Sequence, residues 1–212
     1  EVTEAEENQK NAEIRALEAQ INPHFLYNTL DSINWMAIEK EEYEISKMIR
    51  NLGVILRYSV NKSNQIVTIR ELADWLEKYI SLQQMRFNDA FSYKLNIEEE
   101  TYTEKVYKLL LQPFVENAII HGFKEIESGG LLQIDIMAAE HEQGIIIIIE
   151  DNGAGMPQEM LKCFNNKEEA IKDEGKSIGL HNAFSRMNMY YGEKASWNVS
   201  SIEGMGTVIT LR

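Results

Sequence analysis

Apolar residues recur at helical spacing in the first part of the chain. A seam of residues three and four positions apart predicts packing against a partner helix: Ile14, Leu17 and Ile21. Pro23 interrupts this pattern, because a proline lacks the backbone N–H that a helix interior requires, so we expect a kink or a restart at Asn22. The helix then continues to about Glu39.

Two further helices are predicted before residue 88. The second covers roughly residues 42–61 and gathers its apolar residues on one face: Ile45, Met48, Ile49, Leu52, Ile55 and Leu56. The third begins at Thr68, where Thr68 and Glu71 form the pattern of a capping box, and it ends near Phe87.

Beyond residue 88, short apolar runs alternate with turn residues. Strands are predicted over residues 91–97, 131–138 and 144–150, with a closing hairpin over residues 196–201 and 207–211. Helices are predicted over residues 104–121, after Pro157 and over residues 180–191, with a polar loop over residues 165–178. The run 145–149 has no polar face, so we expect it to be buried on both sides of a sheet.

These elements predict an α+β protein in two parts. Residues 1–88 form a helical region, and residues 89–212 form an α/β sandwich with a mixed sheet and helices on one face. The boundary is placed there because 11 of the 12 glycines and most of the strand patterns follow it.

Composition and charge exclude several kinds of partner and site. The 212 residues carry a formal net charge of −13 at pH 7, which disfavours nucleic acid and anionic membrane surfaces, since both are bound by basic residues. The single cysteine, Cys163, excludes a disulfide or a cysteine-based zinc site within the chain. No apolar run approaches the roughly 18 residues of a membrane span. Because the chain begins at Glu1 rather than Met, we expect it to be part of a longer protein.

Two segments of the second part contain side chains suited to holding a nucleotide. Asn117 and His121 lie four residues apart on one face of a predicted helix, where the amide oxygen of Asn117 can ligate Mg²⁺. Asp151 follows the isoleucine run, and a carboxylate at a strand end can accept a hydrogen bond from the amino group of a base. The glycines after it let the backbone approach a flat ring.

Two further segments contain glycines near the end of the chain. Residues 175–182 are a loop entering a helix, which can present amide groups to phosphates. Residues 204–207 form a tight turn suited to packing beside a nucleotide. Taken singly, each of these four segments also has an ordinary reading, with Asn117 as a plain polar helix residue and residues 151–155 as a turn.

Taken in order, these segments resemble the N, G1 and G2 boxes of the GHKL nucleotide-binding superfamily, which includes gyrase, Hsp90, MutL and the histidine kinases. The resemblance spans about residues 89–212 and implies a Bergerat-type α/β sandwich that binds ATP and Mg²⁺. By that resemblance Asn117 binds Mg²⁺, Asp151 holds the adenine amino group, and residues 157–178 form a mobile lid over ATP. The candidate nucleotide contacts are Asn117, His121, Asp151, Gly153, Gly155, Met156, Gly179, Leu180, Asn182, Gly206 and Thr207.

Residues 19–28, with the sequence AQINPHFLYN, are similar to the signature of the LytS/YesM-type sensor histidine kinases. In those proteins the histidine of the PHF-x-x-N motif accepts a phosphoryl group, which carries the role over to His24. Asn28 lies one helical turn later on the same face. On its own His24 reads as an ordinary helix histidine, but the nucleotide-binding pattern that follows favours the phosphoacceptor.

The reaction expected from the resemblance is in-line attack by a ring nitrogen of His24 on the γ-phosphate of Mg-bound ATP. The phosphoryl group then passes to an aspartate on the receiver domain of a response regulator. The candidate catalytic residues are His24, Asn28 and Glu116, and the role of Glu116 stays open between a base and an outer-shell contact to magnesium. Pro113 stands where the gyrase, Hsp90 and MutL branches have a water-activating acid, so the sequence favours a phosphotransferase over an ATP hydrolase.

Two positions depart from the wider family pattern. Phe25 follows His24 where many histidine kinases have Glu or Asp, so the sequence does not identify the group that takes the histidine proton. Ser177 stands where the G2 box usually has glycine, which affects lid geometry more than nucleotide binding. The alternative function is therefore a catalytically silent, nucleotide-binding dimeric signalling scaffold.

The seam around Leu17 predicts a homodimer. The resemblance implies that the chain is the cytoplasmic portion of a bacterial inner-membrane receptor, with membrane contact only through an upstream segment that this chain does not contain. No nucleic-acid partner is expected. His141 and His181 are expected to lie at the surface.

Overall fold

The computed structural model describes residues 23–60, 65–124, 126–139, 144–171 and 178–212. The chain forms two compact units that divide between Leu56 and Arg57. The predicted seam and the predicted kink at Asn22 lie outside the described residues. The assignment of residues 1–88 and 89–212 to two functional domains stays a prediction.

Two helices begin the described part of the chain, α1 (Pro23–Glu39) and α2 (Tyr43–Val60), as the apolar spacing predicts. Pro23 occupies the first position of α1, where its missing N–H would have had no partner within the helix. The Ser46 hydroxyl on α2 donates to Asn34 Oδ1 on α1 at 2.7 Å and joins the two helices. No helix in the described ranges has the length and apolarity to cross a membrane.

The second unit contains seven strands and five further α-helices among its described residues, besides two short 3₁₀ helices and one π-helical turn. The strands are β1 (Ile66–Thr68), β2 (Phe91–Ile97), β3 (Lys105–Tyr107), β4 (Gly130–Ala138), β5 (Ile145–Asp151), β6 (Trp197–Ile202) and β7 (Gly206–Leu211). The helices are α3 (Ile69–Arg86), α4 (Gln112–Glu116), α5 (Gln158–Asn165), α6 (Lys167–Ala170) and α7 (Ile178–Tyr191).

A mixed sheet with the order β2–β4–β5–β7–β6 forms the centre of this unit. Strand β2 runs parallel to β4, and all other neighbours in this sheet are antiparallel. The pairing of β6 with β7 is the predicted closing hairpin. Phe184 of α7 stacks on Trp197 of β6 at 4.8 Å and meets Phe114 of α4 edge-on at 5.3 Å, so helices cover one face of the sheet. The predicted α/β sandwich is confirmed.

Side chains alternate across the sheet along β5. Ile149 lies opposite Ile134 on β4 and Ile209 on β7, and all three are buried. Ile148 points to the other face and is only half-buried. The prediction that the run 145–149 is buried on both sides is therefore wrong, because this sheet is largely antiparallel and has its helices on one face.

Helix α3 begins at the predicted capping box. Thr68 Oγ1 accepts a hydrogen bond from the backbone N–H of Glu71 at 3.3 Å, and Glu71 Oε2 accepts one from the backbone N–H of Thr68 at 2.8 Å. Two N–H groups that the first turn leaves unpaired thereby gain partners. The predicted start of the third helix is confirmed.

The predicted helix over residues 104–121 is wrong in its first half. Val106 lies in β3, opposite Val67 of β1, because β-branched and aromatic residues pair well with a neighbouring strand. Leu109 has a φ of 62°, a left-handed conformation that does not occur inside an α-helix. The helix begins only at Gln112 and continues beyond α4 as a π-helical turn, Asn117–Gly122.

The predicted loop over residues 165–178 contains the short helix α6. Asn166 caps it, because its Oδ1 accepts a hydrogen bond from the backbone N–H of Glu168 at 3.1 Å. Ser177, whose effect on lid geometry was in question, lies outside the described residues.

Candidate functional site

Four stretches of chain line a cavity of about 520 Å³ in the second unit. They are the end of α4 with its π-helical turn, the end of β5 with the turn after it and the start of α5, the start of α7, and the start of β7. The predicted site residues that line this cavity are Glu116, Asn117, His121, Asp151, Gly155, Met156, Gly179, Leu180 and Thr207. A volume of this size is typical of small-molecule sites.

Asp151 ends β5 on the face of the sheet that the helices cover, opposite Leu132 and Thr207. Its side chain is 6% exposed, and its Oδ1 accepts a hydrogen bond from the backbone N–H of Gly153 at 2.9 Å. Burial raises the pKa of the Asp151 carboxyl to about 6, against the opposing effect of hydrogen bonds from the Gly153 and Thr207 amides. A ligand that donates a further hydrogen bond would stabilise this buried carboxylate.

Close backbone packing surrounds Asp151. The N–H of Ala154 donates to the carbonyl oxygen of Gly122 at 2.8 Å, and a Cβ on Gly153 would overlap that same oxygen. Gly206 has a φ of 121°, and a Cβ there would overlap the carbonyl oxygen of Asp151. The sequence predicts nucleotide contacts at Gly153 and Gly206, whereas the structure places both in this packing and not in the cavity wall.

Gly155 lines the cavity at the turn after β5. Its φ is 70°, and a Cβ would overlap the carbonyl oxygen of Ile202. The N–H of Gly204 donates to the carbonyl oxygen of Ala154 at 2.7 Å, which ties this turn to the β6–β7 hairpin. The hairpin turn therefore takes part in the site through backbone contact, and Met156 adds a buried apolar side chain to the wall.

The helix wall of the cavity ends in a π-helical turn. The N–H of Phe123 donates to the carbonyl oxygen of Ala118 at 3.2 Å, five residues earlier, as a π-helix requires. Asn117 and His121 both line the cavity, in agreement with their predicted shared face. Such turns are frequent at functional sites, and this one also brings Ile120 to the wall.

Glu116 lines the same wall, and two donors hold its carboxylate. Its Oε1 accepts from Gln112 Nε2 at 2.6 Å and from the Tyr79 hydroxyl at 3.3 Å. Pro113 lines the cavity one turn before Asn117. A proline side chain can neither donate nor accept a proton, so Glu116 is the carboxylate that α4 presents to the cavity.

The start of α7 forms the remaining wall through Gly179 and Leu180, whereas Asn182 is exposed and does not line the cavity. The expectation that His181 lies at the surface is wrong. Its ring is 6% exposed, and its Nδ1 lies 2.9 Å from the carbonyl oxygen of Ala170 on α6. His181 thus joins the two helices on either side of residues 172–177. His141 lies outside the described residues.

Several residues of the cavity wall are not among the predicted contacts: Gly122, Ile120, Pro157 and Met160. Ile120 lies in the same turn as Asn117 and His121, and it is 38% exposed. Pro157 precedes α5 and Met160 lies in its first turn, close in the chain to the glycine-containing turn after β5. An apolar wall suits a flat base, and apolar residues within or next to the polar motifs are the sequence signal for such a wall.

His24 and Asn28 belong to the first unit. Both side chains are exposed on α1, and Asn28 Nδ2 lies 3.1 Å from His24 Nδ1. The predicted shared face is confirmed by this contact. The Asn28 amide therefore engages Nδ1, and Nε2 is the ring nitrogen that it does not contact.

The donor atoms at the π-helical wall suit a hard cation. Asn117 offers an amide oxygen, and Glu116 offers a carboxylate at the preceding residue. Mg²⁺ prefers oxygen donors, takes few of them from the protein and combines them with water and substrate phosphates. These residues therefore fit Mg²⁺ and do not fit a soft metal.

Two family models match the chain. Residues 12–91 match the model described as histidine kinase. Residues 103–212, more than half of the chain, match the model described as histidine kinase-, DNA gyrase B- and HSP90-like ATPase. The second match contains the whole lining of the cavity.

Curated relatives and solved structures agree with these matches. The chain is 38% identical to the sensor histidine kinase YesM of Bacillus subtilis (strain 168), over 95% of this chain and 33% of that protein. It is 28% identical to the sensor protein kinase HptS of Staphylococcus aureus (strain NCTC 8325 / PS 47), over 94% of this chain and 38% of that protein. The chain therefore spans little more than a third of these relatives. The catalytic domain of histidine kinase ThkA aligns with 69% of this chain and 92% of its own, with a TM-score of 0.50 and 15% identity.

Proposed function

The chain belongs to the family of histidine kinase-, DNA gyrase B- and HSP90-like ATPases, and from this premise we propose that it is the kinase portion of a sensor histidine kinase. Its activity is the transfer of the γ-phosphoryl group of ATP to His24. The observation that carries the proposal is the meeting of the four predicted nucleotide-binding segments at one cavity, in a chain whose α1 presents His24 beside Asn28.

Each wall of the cavity has a role in holding ATP. The buried Asp151 carboxylate accepts a hydrogen bond from the adenine amino group. Gly155, Met156 and Leu180 lie against the base, because they provide close backbone approach and apolar surface. Asn117 holds Mg²⁺, which neutralises charge on the phosphates when it is bound.

The reaction is a single displacement at phosphorus. The lone pair of a His24 ring nitrogen forms the new N–P bond, the bond from the γ-phosphorus to the bridging oxygen breaks, and its electron pair leaves with ADP. The imidazole loses its ring proton to the solvent in the process. Positioning supplies most of the catalysis in such transfers, so the protein needs no further nucleophile.

Phosphoryl transfer is favoured over ATP hydrolysis by Pro113. This residue lines the cavity where a hydrolase of the family has its water-activating acid. A proline cannot activate water. We therefore expect ATP bound in this cavity to react with His24 rather than with water.

The partners and location belong to the same proposal. The chain acts as a homodimer, which the large exposed apolar side chains of the first unit support: Phe25, Ile33, Trp35, Met36, Tyr43, Ile45 and Val54. Phosphorylated His24 passes its phosphoryl group to an aspartate of a response regulator. In the longer protein the chain forms the cytoplasmic portion of a bacterial membrane receptor.

Incubation with γ-labelled ATP and Mg²⁺ tests the activity. We expect label in the wild-type chain that is stable to base and labile to acid, and none in His24→Ala, although His24→Ala binds ADP as well as the wild type in calorimetry. Asn117→Ala should lose the magnesium-dependent part of nucleotide binding. Nucleotide binding without label would favour the silent scaffold, and steady phosphate release without a phosphoenzyme would favour a hydrolase.

Mixed dimers show whether the phosphoryl group is transferred within one subunit or between the two subunits. His24→Ala retains the cavity, and Asp151→Asn retains His24. If one subunit phosphorylates its partner, a mixture of the two variants regains label on the Asp151→Asn chain, whereas each variant alone has little. No label in the mixture, together with a fully active wild type, indicates transfer within one subunit.

A further inference from the structure

Three aromatic rings form a stack beside the nucleotide cavity. Tyr58 stacks on Trp75 with ring centroids 5.3 Å apart and planes 24° apart. Trp75 stacks on Tyr79 at 5.1 Å and 14°. Trp75 and Tyr79 lie four residues apart on α3, so one helix face presents both rings. We call these three residues the aromatic column.

One end of the aromatic column reaches the cavity wall. The Tyr79 hydroxyl donates to Glu116 Oε1 at 3.3 Å, and Gln112 Nε2 donates to the same oxygen at 2.6 Å. Burial and the neighbouring Glu116 carboxylate raise the pKa of Tyr79, so its hydroxyl keeps the proton that it donates. Two donors from separate helices thus fix the direction of a carboxylate that lines the cavity next to Asn117.

The other end of the aromatic column lies on α2. Tyr58 is two residues from the end of that helix. The Nζ of Lys108 lies over the Tyr58 ring, 4.5 Å from its centre. A displacement of Tyr58 at the end of α2 would therefore act on a continuous stack of rings, and the last ring of that stack, Tyr79, is hydrogen-bonded to Glu116.

Ring packing holds the Tyr58 and Trp75 part of the column, because the polar atoms of these two rings have no hydrogen-bond partner. Among the described residues, buried side-chain polar atoms without a hydrogen-bond partner are Tyr58 Oη, Trp75 Nε1 and Gln83 Oε1. Gln83 follows Tyr79 by four residues on the same face of α3. Buried polar atoms without partners are costly, so this arrangement is stabilised less than a fully paired one and costs less to displace.

We propose that Tyr79 is a positioning residue that holds the Glu116 carboxylate at the cavity wall, and that the aromatic column couples the end of α2 to that carboxylate. The inference rests on the proposed function, because it concerns the same nucleotide cavity. It adds residues of the second unit that lie outside the nucleotide-binding motifs, from Tyr58 to Tyr79.

Tyr79→Phe tests the positioning role. The variant keeps the ring in the stack and removes only the hydroxyl that reaches Glu116. We expect nucleotide affinity within twofold of the wild type and a phosphorylation rate at saturating ATP lower by about tenfold, as one hydrogen bond of ordinary strength corresponds to roughly that factor. The matched control is Tyr93→Phe, which removes a hydroxyl on β2 away from the cavity and should leave the rate unchanged.

A second donor allows a sharper comparison. Gln112→Ala removes the other hydrogen bond to Glu116 Oε1. Because both donors act on one oxygen, the loss in phosphorylation rate of the double variant should differ from the product of the two single losses. A purely structural role of Tyr79 would lower stability and leave the saturated rate unchanged. That result, a rate within twofold of the wild type in Tyr79→Phe, would overturn the positioning role.

Coupling along the column has a readout that does not depend on activity. Incorporated 5-fluorotryptophan gives one fluorine NMR resonance for each of the 3 tryptophans, and Trp75→Phe assigns the resonance of Trp75. We expect Mg-ADP to shift the Trp75 resonance in the wild type and to shift it less in Tyr79→Phe. Tyr58→Leu, which removes the ring at the α2 end, should lower the phosphorylation rate several-fold more than Tyr58→Phe, which keeps it.

The outcomes separate the two proposals. Saturable nucleotide binding with an unmoved Trp75 resonance overturns the coupling and leaves the kinase proposal intact. Absence of nucleotide binding to the wild type, measured by calorimetry, overturns the proposed function and the coupling with it.

Discussion

A methyl group on Gly122 would lie 3.0 Å from Oδ1 of Asp151, at the point where the π-helical turn meets the end of β5. The helix wall and the buried carboxylate therefore lie too close together to admit a side chain at this position without displacement. The carboxylate cannot shift without moving against this backbone. Its direction is fixed by packing as well as by the hydrogen bond from Gly153.

Gly122→Ala should weaken nucleotide binding. The added methyl requires the Asp151 carboxylate to move by a few tenths of an ångström, which strains its hydrogen bonds and lowers affinity for ADP by about tenfold, the equivalent of one ordinary hydrogen bond. Calorimetric titration with Mg-ADP measures this. Gly53→Ala is the matched control, because nothing lies within 4 Å of a Cβ at that helical position. Equal affinity in the Gly122→Ala variant would contradict the steric argument.

Asp151 should make folding stability depend on pH. Burial raises the pKa of its carboxyl from 3.8 to about 6, so between these values the folded protein binds more protons than the unfolded chain. Stability therefore falls as pH rises from about 4 to about 6, by up to roughly 3 kcal/mol for this group alone. Urea unfolding of the wild type and Asp151→Asn across this range measures the effect as the difference between the two slopes.

Bound ADP should weaken this dependence of folding stability on pH. A base amino group that donates to Asp151 favours the ionised carboxylate, so saturating ADP should reduce the loss of stability between pH 4 and 6 in the wild type. Asp151→Asn should show no such change with ADP. A slope that is the same in both proteins would mean that Asp151 does not titrate in this range.

Sequence patterns predicted the features that depend on neighbouring residues. The capping box joins Thr68 to Glu71, and Asp151 follows a run whose strand character is evident in the run itself. Features that depend on distant partners were missed. Val106 reads as helical until its pairing with Val67 is known, and the exposure of Ile148 depends on which faces of the sheet the helices cover.

The same distinction applies to the candidate site. The residue types of the nucleotide motifs pointed to the cavity, and most of these residues line it. Whether a glycine lies in the cavity wall or against another backbone is decided by the packing of separate loops, and Gly153 and Gly206 pack against backbone. The burial of His181 likewise depends on Ala170, on the far side of residues 172–177.

Thr68→Ala should destabilise the second unit by about 1 kcal/mol, because the first turn of α3 loses a capping acceptor. Glu71→Gln is the matched control, since glutamine can also accept from the Thr68 N–H. The hydrogen bonds from Thr68 lower the pKa of Glu71, so its stabilising effect is present above the usual pKa of a glutamate and is lost as pH falls through the lowered value. Urea midpoints at neutral and acid pH should show this pH-dependent loss in the wild type and not in Glu71→Gln.

Asn28 should determine which nitrogen of His24 is phosphorylated. Its amide nitrogen Nδ2 lies 3.1 Å from Nδ1 of His24, so the amide N–H donates to Nδ1 and leaves Nε2 as the ring nitrogen that Asn28 does not cover. We therefore expect Nε2-phosphohistidine, which phosphorus NMR distinguishes from the Nδ1 isomer. Asn28→Asp can only accept from Nδ1–H and should retain more activity than Asn28→Leu, which loses about tenfold in rate with the hydrogen bond. Nucleotide affinity should be the same in both variants, because Asn28 does not line the cavity. An Nδ1-phosphohistidine product, or the reverse order of the two variants, would contradict this role for Asn28.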